Sequence, residues 1–318
     1  MPYVLILIGF IVLIKGADFL VEGAASIARR CQVSDLVIGL TIVALGTSAP
    51  ELFVNIVASY QGSAGIAMGN IVGSTIANIL LVLGVASVIY PLSVTKGTVR
   101  REIPLSFLSA VLLMLFATDF FTKLPRSGVL DRFEGVVLLV IFLFFLSYSF
   151  RIAKRPEDLA EEIPQKKFSL PVSLFLVFLG FTGLSFGGNW IVRGAVSLAR
   201  QCHVDDSFIG LTIVAIGTCL PELATAVMAA VKRNPDIAIG GIVGSNIFNI
   251  LFVLGVSSLI RPLPIPDGSL IDMTVMITAN MILLVSMFTG GRRLIDRWEG
   301  VVFFAGYVAY IGYLITAL

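Results

Sequence analysis

The chain contains the same sequence pattern twice, in two copies that lie 171 residues apart. Residues 40–52 read LTIVALGTSAPEL and include Glu51, and residues 211–223 read LTIVAIGTCLPEL and include Glu222. The same offset relates Gly73-Ser74 to Gly244-Ser245, Asn78 to Asn249, Gly84 to Gly255 and Pro91 to Pro262. A repeat of this length indicates a structural unit built twice, so the fold should consist of two similar halves.

Long apolar segments fill nearly all of both halves. Hydrophobic residues make up 57% of the chain and charged residues 13%, and the mean hydropathy is +1.00. Soluble proteins carry about twice that share of charge. A helix needs roughly 20 apolar residues to cross a bilayer, and ten segments qualify. They are residues 3–27, 36–60, 66–90, 103–121, 133–153, 169–195, 207–231, 237–260, 270–290 and 299–317.

The chain is therefore predicted to be an all-α membrane protein with ten transmembrane helices in two five-helix repeats. Residues 1–153 form the first repeat, the polar residues 154–168 a linker, and residues 169–318 the second repeat. Because five is odd, the second repeat enters the bilayer from the opposite side, which makes the two repeats inverted. The net charge of +2 offers no basic surface for nucleic acid, so nucleic acid is not an expected partner.

The distribution of basic residues predicts the orientation in the membrane. The connections 1–2, 3–4, 5–6, 7–8 and 9–10 carry fifteen of the 22 Lys and Arg residues, and the opposite connections carry five. By the positive-inside rule, the linker is cytoplasmic and both termini lie outside. The expected location is the cell membrane, which is the inner membrane in a cell that has two.

Glu51 and Glu222 are the most informative residues for function. Each lies deep in an apolar segment, where a charge costs on the order of 2 to 3 kcal/mol, and no basic residue of the same segments is available as a partner. A bound cation would compensate both charges. A purely structural role for two symmetry-related acids at this depth is a weak alternative.

Oxygen-bearing residues surround each acid in the sequence. Pro50 and Pro221 disturb the helix before each acid and should free backbone carbonyls there. The resulting candidate ligands are Glu51, Glu222, Thr47, Thr218, Ser48, Ser74, Ser245, Asn78, Asn249 and the carbonyls of Ala44 and Ala215. An all-oxygen set with two carboxylates suits a hard cation such as Ca²⁺ or Na⁺. The glycines beside the motifs, Gly46, Gly73, Gly217 and Gly244, could instead serve close helix packing.

Other polar residues have simpler interpretations. Lys15 and Asp18 are three residues apart on the first helix, which favours an intrahelical pair, although a role in moving that helix is the alternative. The charged LDRFEGVV and IDRWEGVV segments lie near predicted helix starts, where capping explains them. His203 is interpreted as a surface residue. Cys31 and Cys202 should lie at opposite membrane faces, so no disulfide is expected.

GTSAPE and GTCLPE, followed by GNIVGSTIANI and GGIVGSNIFNI, resemble the two alpha-repeats of the Ca²⁺/cation antiporter superfamily. The prokaryotic sodium/calcium exchanger-like branch is the most similar, and the resemblance covers essentially the whole chain. It implies a cluster of four cation sites at the membrane midplane, with Glu51 and Glu222 shared by Ca²⁺ and Na⁺ and the hydroxyl, amide and carbonyl oxygens completing the shells. It also implies that the first and sixth helices slide across the other eight to alternate access.

Two positions depart from the pattern of the best-known members. Asn249 stands where several of them carry Asp, and Cys219 stands where the first repeat has Ser48. Two formal negative charges are enough for one Ca²⁺ or two monovalent cations, so a third Na⁺ or a K⁺ would be less well compensated. The resemblance therefore does not predict stoichiometry or K⁺ dependence.

The leading functional hypothesis is a secondary active antiporter that exports Ca²⁺ in exchange for Na⁺ entry, without a cofactor. One rival is the same fold driven by H⁺, with protonation of both glutamates replacing Na⁺ binding. A cation channel is disfavoured because channels usually build pores by symmetric assembly of subunits. A membrane enzyme is disfavoured because no nucleophile and base pair, HExxH motif or phosphate loop accompanies the acids.

Overall fold

The structure is a computed structural model that describes residues 2–118, 128–152, 168–201, 215–266, 268–289 and 293–316. Most of the predicted linker lies outside these ranges, as do Cys202, His203 and the start of the predicted span at 207–231. Thirteen helices follow one another along the described chain. The first seven are α1 (Pro2–Cys31), α2 (Asp35–Thr47), α3 (Ala49–Gln61), α4 (Ala64–Ile89), α5 (Lys96–Arg100), α6 (Glu102–Ala117) and α7 (Arg132–Ile152). The other six are α8 (Leu170–Gln201), α9 (Ala215–Thr218), α10 (Leu220–Val231), α11 (Pro235–Ile260), α12 (Ser269–Thr289) and α13 (Arg297–Thr316).

Within the described ranges, seven helices are long and apolar enough to span a membrane, or eight if the bent pair α2–α3 counts as one span. The seven are α1, α4, α7, α8, α11, α12 and α13. The described parts of α6 (16 residues) and α10 (12 residues) are shorter. Several apolar helices are thus present, and the count of ten spans stays a prediction.

Helices α4 and α11 form the centre of the molecule. In their most apolar windows, 83% of α4 and 94% of α11 are buried, against 33% of α1 and 28% of α8. α11 packs against α2 and α7, while α4 packs against α3, α12 and α13. The two central helices therefore form the core, and α1 and α8 lie at its outside.

Proline produces a break before each of the two motif glutamates. α2 and α3 meet at an angle of 46°, with Ser48 between them at φ −85° and ψ 5°. Cys219 has the same conformation before α10, with φ −86° and ψ 0°. Pro50 and Pro221 stand in the first turn after each break, where their missing N–H is tolerated. Each glutamate thereby lies in the first turn of a new helix in the interior.

Within the described residues, three stretches of π-helix interrupt the long helices near the motifs. They cover Gly39–Val43 in α2, Asn78–Leu83 in α4 and Phe248–Val253 in α11. Such wider turns frequently occur at functional sites. Asn78 begins one of these stretches and Asn249 is the second residue of another. Both candidate ligands therefore lie where the spacing of the backbone hydrogen bonds changes from that of an α-helix to that of a π-helix.

In the part of the chain that the structure describes, two short antiparallel ribbons connect the two halves. β1 (Leu92–Ser93) pairs with β4 (Leu294–Ile295), and β2 (Val129–Leu130) pairs with β3 (Leu263–Pro264). β1 and β3 are 171 residues apart, and β2 and β4 are 165 residues apart, the two offsets that relate the repeats in these regions. Exchanging the halves therefore turns one ribbon into the other.

α1 and α8 pack antiparallel with almost no space between their backbones. A Cβ atom added to Gly16 would lie 2.7 Å from the backbone nitrogen of Leu184, and one added to Gly187 would lie 2.6 Å from that of Leu13. Gly16 and Gly187 are repeat counterparts, as are Leu13 and Leu184. Small residues allow helix backbones to approach this closely in membranes. Each half contributes an equivalent glycine to the contact.

The predicted capping at the last helix of each half is confirmed. Before α7, the Asp131 carboxylate accepts the Glu134 N–H at 2.9 Å, and Glu134 accepts the Asp131 N–H at 3.0 Å. Before α13, Glu299 accepts the Asp296 N–H at 2.8 Å and the Thr289 hydroxyl at 2.6 Å. The reciprocal pair before α7 is a capping box, and before α13 the glutamate half of the same arrangement is present, so the buried Glu134 and Glu299 have structural partners.

Candidate functional site

The two motif glutamates meet in the interior. Glu51 lies in the first turn of α3 and Glu222 in the first turn of α10, and they are 1% and 2% exposed. The Ser48 hydroxyl, from the α2–α3 break, donates to Glu222 Oε1 at 3.5 Å across the two halves. The charge of Glu51 also acts directly on Glu222. The N-terminus of a helix favours a carboxylate, so each acid is placed where the backbone helps to hold its negative charge.

Hydroxyl groups from both halves line the same region. The Thr47 and Ser245 hydroxyls are 3.3 Å apart, which joins α2 to α11. Ser74 of α4 lies near the Glu51 carboxylate and near Cys219, but neither carboxylate oxygen of Glu51 has a hydrogen-bond partner among the described residues. The Thr218 hydroxyl lies 3.9 Å from the Cys219 sulfur. The structure thus brings Thr47, Ser48, Ser74 and Ser245 close to the two acids, and their role as ion ligands stays a prediction.

The Ala44 carbonyl departs from the expectation of a freed backbone oxygen. It accepts the Ser48 N–H at 3.0 Å, so it keeps a backbone hydrogen bond. The Thr47 and Ser245 hydroxyls also approach it, at 3.4 and 3.5 Å. One lone pair of the carbonyl oxygen is therefore used by the helix, and only the second is available to the polar region. Its counterpart Ala215 begins α9 at the edge of the described residues.

Two asparagines extend the cluster on the central helices. The Asn78 amide donates to Asn246 Oδ1 at 3.0 Å, which fixes the amide and leaves Asn78 Oδ1 without a partner among the described residues. Asn249 is fully buried, and neither end of its amide has a partner there. Thr75, the repeat counterpart of Asn246, instead donates to the Ile71 carbonyl at 2.8 Å. The two halves therefore orient their ligand asparagines differently.

Unpaired acceptors are concentrated in this cluster. Among the described residues, five buried oxygens of the site have no hydrogen-bond partner, namely both carboxylate oxygens of Glu51, Glu222 Oε2, Asn78 Oδ1 and Asn249 Oδ1. No ion pair within the described ranges involves either glutamate. Leaving buried acceptors unpaired costs about 1 to 3 kcal/mol each, and more for charged groups. The five oxygens therefore form a buried polar cluster that the described protein groups do not satisfy.

Most glycines near the site serve packing. A Cβ on Gly46 would overlap the Phe181 ring of α8, one on Gly217 would overlap Val192, and one on Gly244 would lie 2.7 Å from the Leu40 backbone. A Cβ on Gly73 would meet nothing within 4 Å. The packing interpretation therefore explains Gly46, Gly217 and Gly244, and it leaves Gly73 unexplained.

Sequence reasoning missed Asn246 and a second polar group next to Glu51. The Asn70 amide donates to Asn55 Oδ1 at 2.7 Å and to the Glu51 carbonyl at 3.4 Å, and Asn55 donates to the Ala67 carbonyl at 3.1 Å. Asn55 lies one turn after Glu51 on α3, a spacing that could have identified it. Asn246 could have been identified by the difference from Thr75 in the aligned motifs.

The predicted pair of Lys15 with Asp18 is wrong. Asp18 forms an ion pair with Lys232 of the segment after α10, and Glu22 pairs with the same Lys232 Nζ at 3.1 Å. Lys232 also donates to the Asp18 carbonyl at 3.3 Å. Asp18 pairs with Lys232 rather than with Lys15 because Lys232 contacts both acids and a backbone carbonyl at once. The contact joins α1 to the C-terminal end of α10, the helix whose first turn contains Glu222.

Comparisons with known proteins agree with this chemistry. The sequence model of the family described as "Sodium/calcium exchanger protein" matches residues 1–151 and 172–316. A putative antiporter, CaxA of Alkalimonas amylolytica, is 40% identical over 316 residues, with 96% of each chain covered. The sodium/calcium exchanger MaX1 of Methanosarcina acetivorans is 34% identical, with 97% of each chain covered. A structure of the sodium-calcium exchanger NCX_Mj, soaked with zero Na⁺ and Ca²⁺, matches with a TM-score of 0.83 and 34% identity over 98% of both chains.

Proposed function

Because this chain belongs to the family of sodium/calcium exchanger proteins, we propose that it is a secondary active antiporter that exchanges Ca²⁺ for Na⁺ across a membrane. The family and fold are those of membrane transporters rather than of enzymes. Such transporters carry small inorganic cations and need no cofactor. The five unpaired buried oxygens of the two acids and two asparagines are the observation that carries the proposal.

In this mechanism Ca²⁺ and Na⁺ compete for the carboxylates of Glu51 and Glu222. Further oxygen ligands complete the coordination shells of the ions. They come from the side chains of Thr47, Ser48, Ser74, Ser245, Asn78, Asn249 and Thr218 and from the carbonyls of Ala44 and Ala215. Two buried charges without a cation are costly, so the empty protein resists the change of access. That resistance couples the exit of one ion to the entry of the other.

The proposed architecture is two inverted five-helix repeats, residues 1–153 and 169–318, joined by the linker 154–168. Three observations support it: the ribbons that exchange between halves, the matching breaks at Ser48 and Cys219, and the π-helical stretches at Asn78 and Asn249. The distribution of basic residues favours a cytoplasmic linker with both termini outside. Alternating access then occurs by sliding of the outer pair α1 and α8, whose close glycine-lined contact lets the two helices move as one unit.

Transport into inverted membrane vesicles tests the function. We expect an imposed Na⁺ gradient to drive Ca²⁺ uptake at equal pH on both sides. Uptake driven by a pH gradient in the absence of Na⁺, with none driven by Na⁺, would replace Na⁺ with H⁺ as the coupling ion. Ca²⁺ flux that follows its own gradient with no dependence on a counter-ion would overturn the antiporter proposal.

The ion pairs of Lys232 should bias the access equilibrium. Their repeat counterparts are Gln61, Asn189 and Arg193, which cannot form the same contacts, so only one end of the molecule has this tie. Partly exposed ion pairs contribute roughly 0.2–1 kcal/mol, which corresponds to about a 1.4- to 5-fold change in an equilibrium. We expect Lys232→Gln to change the ratio of the Ca²⁺ half-saturation concentrations on the two sides by that factor.

Flux measurements in right-side-out and inverted vesicles give this ratio. Lys15→Gln is the matched control, because it removes an exposed lysine of α1 that forms no ion pair within the described chain. Lys232→Arg should restore the wild-type ratio. An unchanged ratio in Lys232→Gln, or an equal change in Lys15→Gln, would contradict a role for the tie in access.

A further inference from the structure

A network of amide side chains one turn after Glu51 has no role in the mechanism described above. Asn55 is fully buried on α3, and its Nδ2 donates to the Ala67 carbonyl of α4 at 3.1 Å and to the Ser257 hydroxyl of α11 at 3.4 Å. Its Oδ1 accepts a hydrogen bond from Asn70 Nδ2 of α4 at 2.7 Å. Asn55 therefore joins three helices, and one of them, α11, belongs to the other half.

The network also reaches the backbone of the acid. Asn70 Nδ2 donates to the Glu51 carbonyl at 3.4 Å. Because Glu51 follows the 46° break at Ser48, α2 does not by itself fix the direction of the helix that carries the acid. A buried polar network whose members are satisfied is rigid and specifies one arrangement. The network thus supplies, one turn from Glu51, the restraint that the break removes.

The second half has no equivalent network. The repeat counterparts of the two asparagines and the serine are Ala226, Gly241 and Ala86, none of which has a polar side chain. The Thr225 hydroxyl, next to the first of these positions, donates at 2.7 Å to a carbonyl of its own helix. The repeat therefore does not account for the network, which supports Glu51 and has no counterpart at Glu222.

We propose that Asn55 and Asn70 are positioning residues that hold Glu51 in place for Ca²⁺ in the proposed exchanger. The inference rests on the proposed function, since it takes Glu51 to bind the ion. The affinity of an oxygen site for Ca²⁺ depends on the rigidity of the site as well as on the number of charged ligands. Both asparagines act through the backbone of α3 and its contacts, and neither is proposed as an ion ligand.

The half-saturation concentrations of Na⁺-driven Ca²⁺ uptake into inverted vesicles test the inference. We expect Asn70→Ala to raise the Ca²⁺ half-saturation concentration roughly 10-fold, the lower end of the range seen when the support of a metal ligand is lost. Ser257→Ala removes one longer contact of the network from the other half, and it should cause a smaller rise in the same direction. Maximal uptake per folded molecule should persist in both variants.

The comparison of the two ions separates positioning from a general loosening of the fold. At equal distance, a carboxylate attracts Ca²⁺ twice as strongly as Na⁺, so a displaced Glu51 weakens Na⁺ binding less. A roughly 10-fold rise for Ca²⁺ corresponds to a roughly 3-fold rise in the Na⁺ half-saturation concentration. A variant that is merely less stable loses active protein and keeps both concentrations.

Asn280→Ala is the matched control. Asn280 is also a buried amide that bridges two helices, because it accepts the Ser106 hydroxyl of α6 at 2.9 Å and donates to the Met276 carbonyl of its own helix, α12, at 2.9 Å. This variant should lose thermal stability and keep both wild-type half-saturation concentrations.

Three results would overturn the inference. The first is an Asn70→Ala protein that keeps both wild-type half-saturation concentrations, and the second is one that loses only maximal uptake. The third is the same pair of shifts in Asn280→Ala. If a Na⁺ gradient drives no Ca²⁺ uptake in the wild type, the proposed function itself fails, and the inference fails with it.

Discussion

Replacing Glu51 or Glu222 with glutamine is expected to reduce Ca²⁺ exchange at least roughly 100-fold, which is about 2.8 kcal/mol of lost ion binding. Each substitution keeps the volume and one oxygen of the side chain but removes half of the formal negative charge of the site. A dehydrated divalent cation then lacks compensation, and the amide N–H groups repel it. The measurement is Na⁺-driven ⁴⁵Ca²⁺ uptake into vesicles, normalised to the amount of folded protein.

The same substitutions should leave the ion-free protein equally stable or more stable. Burying an uncompensated charge is costly, so its removal lowers the cost of folding. Thermal unfolding in the absence of Ca²⁺ and Na⁺ should therefore give an equal or higher midpoint for Glu51→Gln. Added Ca²⁺ should raise the midpoint of the wild type but not that of the variant.

Glu299→Gln is the matched control for these variants. Glu299 is also a buried glutamate, at 3% exposure, but its carboxylate accepts hydrogen bonds from the Asp296 backbone and the Thr289 hydroxyl. Glutamine keeps one of these two acceptor oxygens and loses the other, which should cost about 0.5–1.5 kcal/mol of stability while transport per folded molecule persists. Wild-type exchange in either Glu51→Gln or Glu222→Gln would show that the site has been assigned wrongly.

Features that repeat in the sequence were predictable, because symmetry reveals them without knowledge of the contacts. The paired glutamates, the proline breaks before them and the capping acids before α7 and α13 all have counterparts in the other half. Hydropathy likewise located the long apolar helices, since a bilayer demands a minimum length. The full ligand set around Glu51 and Glu222 stays a prediction, because it depends on where an ion sits.

Features that break the repeat or the helix ladder were harder to predict. The π-helical stretches change the hydrogen-bond spacing by one residue, which alters neither composition nor hydrophobic periodicity. The pairing of Lys232 with Asp18 joins residues 214 apart, so local spacing favoured the wrong lysine. Asn246 orients the candidate ligand Asn78 by accepting its amide hydrogen bond. This contact exists only because α4 packs against α11, so the sequence alone did not reveal it.

Restoring a third carboxylate with Asn249→Asp is expected to change the charge moved per transport cycle. The wild-type site contains two acids, whose charge balances one Ca²⁺ or two Na⁺, so we expect exchange that does not depend on membrane potential. Asn249 is fully buried, and its amide has no partner in the described structure, so an aspartate there would face the ions directly. The additional charge favours a third monovalent cation and makes exchange electrogenic.

The size of this effect follows from the work of moving one charge across the membrane. That work is about 2.3 kcal/mol per 100 mV, which corresponds to roughly a 50-fold change in the Ca²⁺ gradient at equilibrium. Vesicles clamped with a K⁺ gradient and valinomycin should show this dependence in Asn249→Asp and none in the wild type. Asn189→Asp, the same chemical change on the exposed face of α8, should behave as the wild type. Potential-dependent exchange in the wild type would mean that a third positive charge is already carried, and that two carboxylates do not set the stoichiometry.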